Sequence, residues 1–429
     1  MNLEALLSAV ELRAILIVVV LAMFAVLLLG PVVFQQWYAF QHRRQSRPPC
    51  PPWKPGQAGR VRWPSVDVIV PCYNENPALL ERCCKSIARQ DYPGRLRVWL
   101  IDDGSSNREA LQEVYRRYQK HHRWTVVRQS GNSGKRLAQD RGFSGGNGDL
   151  VATVDSDTEI DPDGIKMLAV AFRDPRVGAV TGDVRALNAG ATWLTRLIAV
   201  RYRLLFEQER AAQSWKGSVL CCSGPFSIYR RSALRRVWGE YVTHRLWGRN
   251  CTFGDDLHLT LLVLGKGYQS LYEPRARART EVPTTLRGFA RQQLRWNKSF
   301  YRYLPLMWRV LRGRGWFLKA DVAVRLALPL TLAVALPWVV TQLALGTSLG
   351  EQPLLPFFAA AGLAQLASAA AQARDLRFLL LYGLVFFAVL IPARIGALCT
   401  IGNNGWGTRG KAIEPRRVRA TGTKPLVAT

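Results

Sequence analysis

Apolar residues in this 429-residue chain are gathered into blocks, and that segregation limits its fold more than any single motif. The first 40 residues and the stretch 322–401 are apolar, while the middle is polar and mixed. Mean hydropathy is -0.02 although 21% of residues are charged, which requires such blocks. Residues 14–34, from Ala14 to Phe34, form an almost unbroken apolar run. A run of about 20 residues is long enough to cross a bilayer as a helix. A signal peptide is the weaker alternative, because Glu4 and Glu11 precede the run and it exceeds an h-region in length. The chain is also too long for one ordinary domain, so two or more units are expected.

The formal net charge of +29 has two readings. One is a nucleic-acid footprint. The other is a membrane protein whose polar part stays on the cytosolic side, where Lys and Arg are retained. The middle carries no zinc-finger, RNP or heptad pattern, so a nucleic-acid partner is not expected. The eight Cys include two adjacent pairs and no CxxC, poor spacing for zinc or a disulfide framework. Reduced cytosolic thiols fit better.

Arg43, Arg44, Arg47, Lys54, Arg60 and Arg62 follow the first apolar run, which places the N-terminus outside and residue 43 onward in the cytosol. Three later apolar stretches cover roughly 322–346, 353–371 and 378–401. Three full spans would put the basic tail outside, against the same rule. Pro392 and Arg394 interrupt the last stretch, so a re-entrant or interfacial segment over 378–401 restores a cytosolic tail. Residues 193–206 and 286–309 mix Arg with Leu, Trp, Phe and Tyr in a helical rhythm. That composition suits helices lying on the membrane, or ordinary surface helices covering the domain core.

In the middle, 66–71, 96–101, 124–128 and 149–154 read as strands, and 78–90 and 107–120 as helices. Alternating strands and helices argue for a parallel α/β sheet, with ligands at the carboxyl ends of the strands. No GxGxxG follows the first strand, and Gly131–Arg136 lacks P-loop spacing. Gly142, Gly145, Gly146 and Gly148 read as a loop.

Several residues can carry chemistry. Asp155 and Asp157 stand two apart at a strand end, so both can reach one Mg2+ or Mn2+ shared with substrate phosphates. Asp103 ends the second strand, where it can accept from a uracil N–H or serve as a turn residue. Lys135 and Arg136 supply charge for a diphosphate. Gly254-Asp255-Asp256 sets two carboxylates side by side, one of which can act as a general base. Gln292, Arg295 and Trp296 form QxxRW, with all three on one helical face. There a guanidinium can fork onto phosphate and an indole can stack on a sugar.

The ordered set Pro71-Cys72-Tyr73-Asn74-Glu75, Asp102-Asp103-Gly104-Ser105, Gly134-Lys135-Arg136, Asp155-Ser156-Asp157, Gly254-Asp255-Asp256 and QxxRW resembles the processive family 2 glycosyltransferases. These include cellulose, chitin and hyaluronan synthases. The finer segments Glu209–Ser214, Cys222-Ser223-Gly224-Pro225, Tyr229-Arg230, Asn297–Phe300 and Trp406-Gly407-Thr408-Arg409 look most like class I hyaluronan synthases. Chitin-oligosaccharide synthases of rhizobia share much of this set. The resemblance implies an α/β GT-A domain, Rossmann-like and of the nucleotide-diphospho-sugar transferase kind, with α-helical transmembrane and interfacial segments.

The divisions then expected are an N-terminal transmembrane helix (1–42), a cytosolic catalytic domain (43–285) and interfacial helices with QxxRW (286–320). Transmembrane or re-entrant segments (321–401) and a cytosolic basic tail (402–429) follow. By resemblance Asp103 and Lys135 contact the uridine nucleotide, Asp155 and Asp157 the metal-diphosphate, and Asp256 is the base. Gln292, Arg295 and Trp296 hold donor phosphate and acceptor sugar. Tyr73, Glu75 and Cys222 join the substrate site, and Trp406 and Arg409 belong to a gating loop.

The implied partners are UDP-sugar donors, a growing polysaccharide and the lipid bilayer, with Mg2+ or Mn2+ as cofactor. The implied setting is a multi-pass protein of the cell membrane with its catalytic domain in the cytosol. The expected product is hyaluronan from UDP-GlcNAc and UDP-GlcA, and the alternative is a chitin-type polymer from UDP-GlcNAc alone. A non-catalytic basic membrane protein is a distant third. Two departures stand out: one N-terminal span where two are common, and His258 where Arg is more usual.

Overall fold

The computed structural model describes residues 33–44, 62–246, 248–327, 341, 344–345, 381 and 384–403. The spans expected at 14–34 and across most of 322–401, and the motif residues Trp406 and Arg409, therefore lie outside the described residues or nearly so. Among the described residues no helix is long and apolar enough to cross a membrane.

A first helix, α1, covers residues 33–44. The first half of the domain then runs β1 (Val66–Cys72), α2 (Pro77–Ala88), β2 (Leu96–Asp102), α3 (Arg108–Gln119), β3 (Trp124–Arg128), α4 (Lys135–Gly145) and β4 (Leu150–Val154). Next come β5 (Thr158–Ile160), α5 (Gly164–Val170), β6 (Val177–Ala186), α6 (Trp193–Leu204), a π-helical turn (Leu205–Arg210) and α7 (Ala211–Trp215). The remainder is β7 (Phe226–Arg230), α8 (Arg231–Arg235), α9 (Trp238–Val242), β8 (Arg245–Leu246), β9 (Arg249–Asn250), α10 (Asp255–Gly265), β10 (Gln269–Thr280) and α11 (Leu286–Leu311). Helix α12 covers 316–327, and α13 covers Ile391–Cys399.

All seven residues of β1 are buried, as suits a central strand with both faces covered. Helix α2 starts where Asn76 accepts from the Ala78 N–H at 2.9 Å, with Pro77 pre-set for the first turn. Eight of these ten strands form one sheet in the order β3-β2-β1-β4-β7-β6-β10-β5, and β8 and β9 pair apart from it. The expected parallel arrangement holds only for β1 to β4 and for the β6–β10 pair. Strand β7 is antiparallel to both β4 and β6, and β5 is antiparallel to β10, so the sheet is mixed. The reversal has a local cause. The chain enters β7 from the carboxyl end of β4, with Phe226 paired to Val154, and this carries the Gly224-Pro225 turn to Asp155.

Gly142 and Gly145 are helical, not loop. A Cβ at Gly142 would stand 2.8 Å from Ile69 and one at Gly145 would stand 2.5 Å from Trp99, so small residues let α4 lie close on β1 and β2. Helix α10 is buried all round, from Leu257 to Leu264. Helix α6 buries Leu194, Leu197, Ile198 and Tyr202 and leaves Trp193 exposed. That is a helix covering the core with one edge apolar to the outside. Helix α1 docks on the same unit, with Tyr38 edge-on to Phe317 at 4.8 Å and Arg43 donating to the Glu207 carbonyl at 3.0 Å.

Candidate active site

The carboxyl ends of β1, β2 and β4 bring the first motifs together. Asn74, at φ 49, donates its N–H to Ser105 Oγ at 2.9 Å and accepts from the Ser106 N–H at 2.6 Å. These bonds join the β1 and β2 turns. Tyr73 and Glu75 flank Asn74 and are half-buried. Glu75 accepts from buried Ser156 at 2.6 Å, which ties it to the Asp155-Ser156-Asp157 turn. Asp103 is buried and uses both carboxylate oxygens on the Ser133 and Gly134 N–H groups at 2.8 and 2.9 Å. The structure thus gives Asp103 a turn-holding role at the start of α4.

Lys135 opens α4 and lies under the site. Its Nζ donates to Asp155 Oδ1 at 2.7 Å and stands 3.1 Å from Asp255 Oδ2. Burial alone would lower its pKa, but Asp155 and Asp255 outweigh burial and hold the ammonium charged. Arg136 points elsewhere, contrary to the expectation that it faces a diphosphate. Its guanidinium is buried, donating to the Tyr241 carbonyl and Tyr303 hydroxyl at 2.9 Å each and meeting His258 Nδ1 at 2.8 Å. Burial and the Arg136 charge push His258 down to about 2, so this imidazole is neutral. Arg136 thus brings its positive charge beside position 258, where the resemblance leads one to expect Arg.

Asp255 and Asp256 sit in the first turn of α10, where the helix dipole favours carboxylates. Gly254 precedes them at φ +74, and a Cβ there would stand 2.6 Å from Ser299 Oγ. Burial raises the Asp255 pKa, but Lys135 and Arg136 outweigh it and lower the group overall. Asp256 is raised by burial and then by Asp255, with Lys135 opposing. Its oxygens accept from the Leu257 and Gly224 N–H groups at 2.8 and 3.3 Å. Gly224 is the meeting point of the site: a Cβ there would stand 3.1 Å from Lys135 Nζ and 3.3 Å from Asp155 Oδ2. The narrow gap beside Asp255 and Asp256 is lined by Gln139, Tyr229, Tyr241 and Gly224.

Cys222 does not line this gap. It is fully buried, with its N–H on Thr260 Oγ1 at 2.9 Å, and burial pushes its thiol up to about 12. Its neighbour Cys221 has its thiol on Asp256 instead. Of this adjacent pair it is Cys221, and not the expected Cys222, whose thiol reaches Asp256.

On α11, the QxxRW residues gather around Tyr202 of α6. Gln292 lies at the Tyr202 hydroxyl, and the Arg295 charge acts on that hydroxyl. The Trp296 ring stands 6.3 Å from the Tyr202 ring and is 37% exposed. Arg201 donates to Gln293 at 2.6 Å, fixing the same two helices. Sequence names Gly224 only within the Cys222–Pro225 segment and gives Tyr202 no role, because neither carries a charge.

Asp155 and Asp157 fit a divalent cation by donor chemistry. Asp157 accepts from Thr280 and Thr158 at 3.0 and 3.2 Å, yet burial, Asp155 and Glu75 raise it to about 7. Crowded carboxylates of this kind are relieved by a cation. Among the described residues no set of three or more His, Cys, Asp or Glu forms a complete metal cage. Two carboxylates completed by substrate phosphates is the manner of Mg2+ and Mn2+.

A family model for glycosyl transferase family 2 matches residues 67–238. An N-acetylglucosaminyltransferase of Sinorhizobium fredii is 44% identical over 359 residues, covering 83% of this chain and 87% of that protein. One from Mesorhizobium japonicum is 43% identical over 354 residues, covering 82% and 83%. The chain belongs to glycosyltransferase family 2. It is therefore a sugar-nucleotide-dependent glycosyltransferase, with the GT-A-like fold of that family. The fold also matches a mannosyltransferase from Pyrobaculum calidifontis, solved with GDP-Man and Mn2+, at a TM-score of 0.58 and 22% identity. That match covers 91% of this chain and 100% of the other. Within the family 2 framework, the Asp155–Lys135–Asp255–Asp256 constellation is the candidate catalytic centre.

Proposed function

We propose that this family 2 enzyme is an inverting N-acetylglucosaminyltransferase that joins GlcNAc units from UDP-GlcNAc into a chitin-type oligosaccharide. The observation that carries the substrate is the 44% identity to a curated N-acetylglucosaminyltransferase along 83% of the chain. It favours the single-donor product over hyaluronan, the product that the finer motifs first suggested.

Asp256 is the base. Its raised pKa suits a carboxylate that must take a proton near neutral pH. The Gly224 and Leu257 N–H groups orient it. The acceptor hydroxyl gives its proton to Asp256, and its oxygen attacks the anomeric carbon. The bond from that carbon to the diphosphate oxygen breaks, and UDP leaves with the electron pair. Lys135 counters the negative charge that accumulates beside Asp155. Asp155 and Asp157 would hold Mg2+ or Mn2+, which when bound supplies positive charge to the diphosphate. Arg295 can fork onto the same phosphates, and exposed Trp296 offers a face to the acceptor sugar.

A membrane setting belongs to the same reading. The apolar blocks support it, as do the outward Phe34, Trp37, Phe40, Trp308 and Trp316 on α1, α11 and α12. The deciding experiment supplies purified enzyme with UDP-GlcNAc alone and with UDP-GlcNAc plus UDP-glucuronate. Polymer from the single donor supports the proposal. Polymer that forms only with both donors restores hyaluronan, and no UDP release with any sugar nucleotide overturns transferase activity altogether.

A further inference from the structure

Arg302 lies two turns beyond Arg295 on α11, is buried, and touches none of the residues assigned to donor or acceptor. Its Nε and Nη2 donate to the Ile401 carbonyl at 2.9 and 2.6 Å, and Nη2 also donates to the Asn403 carbonyl at 2.9 Å. These carbonyls follow the end of α13, so part of the role is that of a cation capping a helix C-terminus. Capping does not account for the other face of the guanidinium. Its central carbon stands 4.4 Å from the centre of the Phe253 ring.

Phe253 is 1% exposed and immediately precedes Gly254-Asp255-Asp256. Ser299, Arg302 and Tyr303 share one face of α11 at i, i+3 and i+4. Ser299 and Tyr303 close against Gly254 while Arg302 closes against Phe253. The turn that carries the base is thus packed on one face of α11, which holds it through Ser299, Arg302 and Tyr303. No carboxylate pairs with Arg302 among the described residues, so its charge is spent on this ring and these carbonyls.

We propose that Arg302 is a positioning residue for glycosyl transfer, holding the Phe253–Asp256 turn and the Ile401–Asn403 segment in one fixed relation. The inference rests on the proposed role of Asp256 as base. A planar guanidinium can serve the ring and three carbonyl contacts together, which an ammonium cannot. A base displaced by about 1 Å costs on the order of 100-fold in rate, while a donor held elsewhere binds as before.

The test measures kcat for UDP release from UDP-GlcNAc, and the inhibition constant of UDP, for the full-length enzyme and its variants. Arg302→Ala should lower kcat by about 100-fold and leave the UDP constant within about twofold. Arg302→Lys, which keeps the charge at the helix end, should recover only part of the loss. Phe253→Leu should also lower kcat, and the double variant should be no worse than the worse single one.

A merely capping residue would lower thermal stability, and Lys would restore kcat fully; that outcome overturns the proposal. So does a UDP constant that weakens in step with kcat, or losses at 253 and 302 that simply add. If Arg302→Ala does not fold, Arg302→Lys and Phe253→Leu decide the matter by the same measurements. Wild-type enzyme that releases no UDP would instead refute the functional reading on which this rests.

Discussion

The Lys135 ammonium lies 2.7 Å from Asp155 Oδ1 and joins the carboxylate of the DxD turn to the start of α10. One cation therefore balances Asp155 and Asp255 and acts on Asp256 as well. Lys135→Ala should remove the charge partner of several buried acids at once. Breaking a buried pair of this kind costs about 3–5 kcal/mol. The variant should also shift activity. Lys135 lowers the Asp256 pKa, so without it the base is protonated at a higher pH. The acidic limb of the pH–rate profile should move upward, and an unmoved limb would disconnect Lys135 from the base.

Asp256→Asn keeps the size of the side chain and removes the proton acceptor. General-base removal costs about 100- to 10,000-fold in rate. UDP affinity, measured by calorimetry, should stay near the wild-type value. Loss of UDP binding together with turnover would move the assignment away from Asp256.

Cation binding should depend on pH with a defined sign. Asp157 is raised to about 7, so the folded protein without cation holds this proton at pH values where the unfolded chain has released it. This group favours folding less and less as pH climbs from about 4 toward 7, because the unfolded chain ionises first. A bound cation must displace the proton. Mn2+ should therefore raise the melting temperature only slightly at pH 6 and strongly at pH 8. An equal rise at both would separate Asp157 from the cation site.

Much of this site can be traced in the residues before any fold is known, but only in part. Runs such as Val66–Pro71 and Leu150–Val154 announce buried strands, and carboxylates after them announce the ligand edge. What is not legible is which of two neighbours faces the cleft. Lys135 and Arg136 are about 100° apart on a helix, so one enters the site and the other the core. Cys221 and Cys222, and Gln292 and Gln293, pose the same choice, which only the packing partners Asp256, Thr260, Tyr202 and Arg201 settle. The antiparallel entry of β7 is hidden for a related reason. A short apolar strand has the same pattern in either direction, and here direction decides whether Gly224 reaches Asp155.

Gly224→Ala follows from that placement. The added Cβ would stand 3.1 Å from Lys135 Nζ and 3.3 Å from Asp155 Oδ2, inside the space between base and diphosphate groups. The Lys135 terminus can give way, so the fold should persist with a melting temperature close to wild type. Turnover should fall by at least about tenfold, since small displacements of reacting groups are costly. A variant with full activity would remove Gly224 from the centre.

Trp296 tests the proposed acceptor platform on α11. Its ring leans on Tyr202 and leaves 37% of the residue exposed, an open face beside Arg295 and Gln292. An indole that only anchored α11 would, when lost, weaken every function of the helix equally. An indole that carries the acceptor sugar gives a selective loss. Trp296→Ala should raise the apparent KM for a GlcNAc oligosaccharide acceptor about tenfold, or about 1.4 kcal/mol, with UDP affinity unchanged. Trp296→Phe, which keeps an aromatic face, should recover most of that loss. Equal weakening of acceptor and UDP would assign Trp296 to holding the helix, and the acceptor would then need another platform.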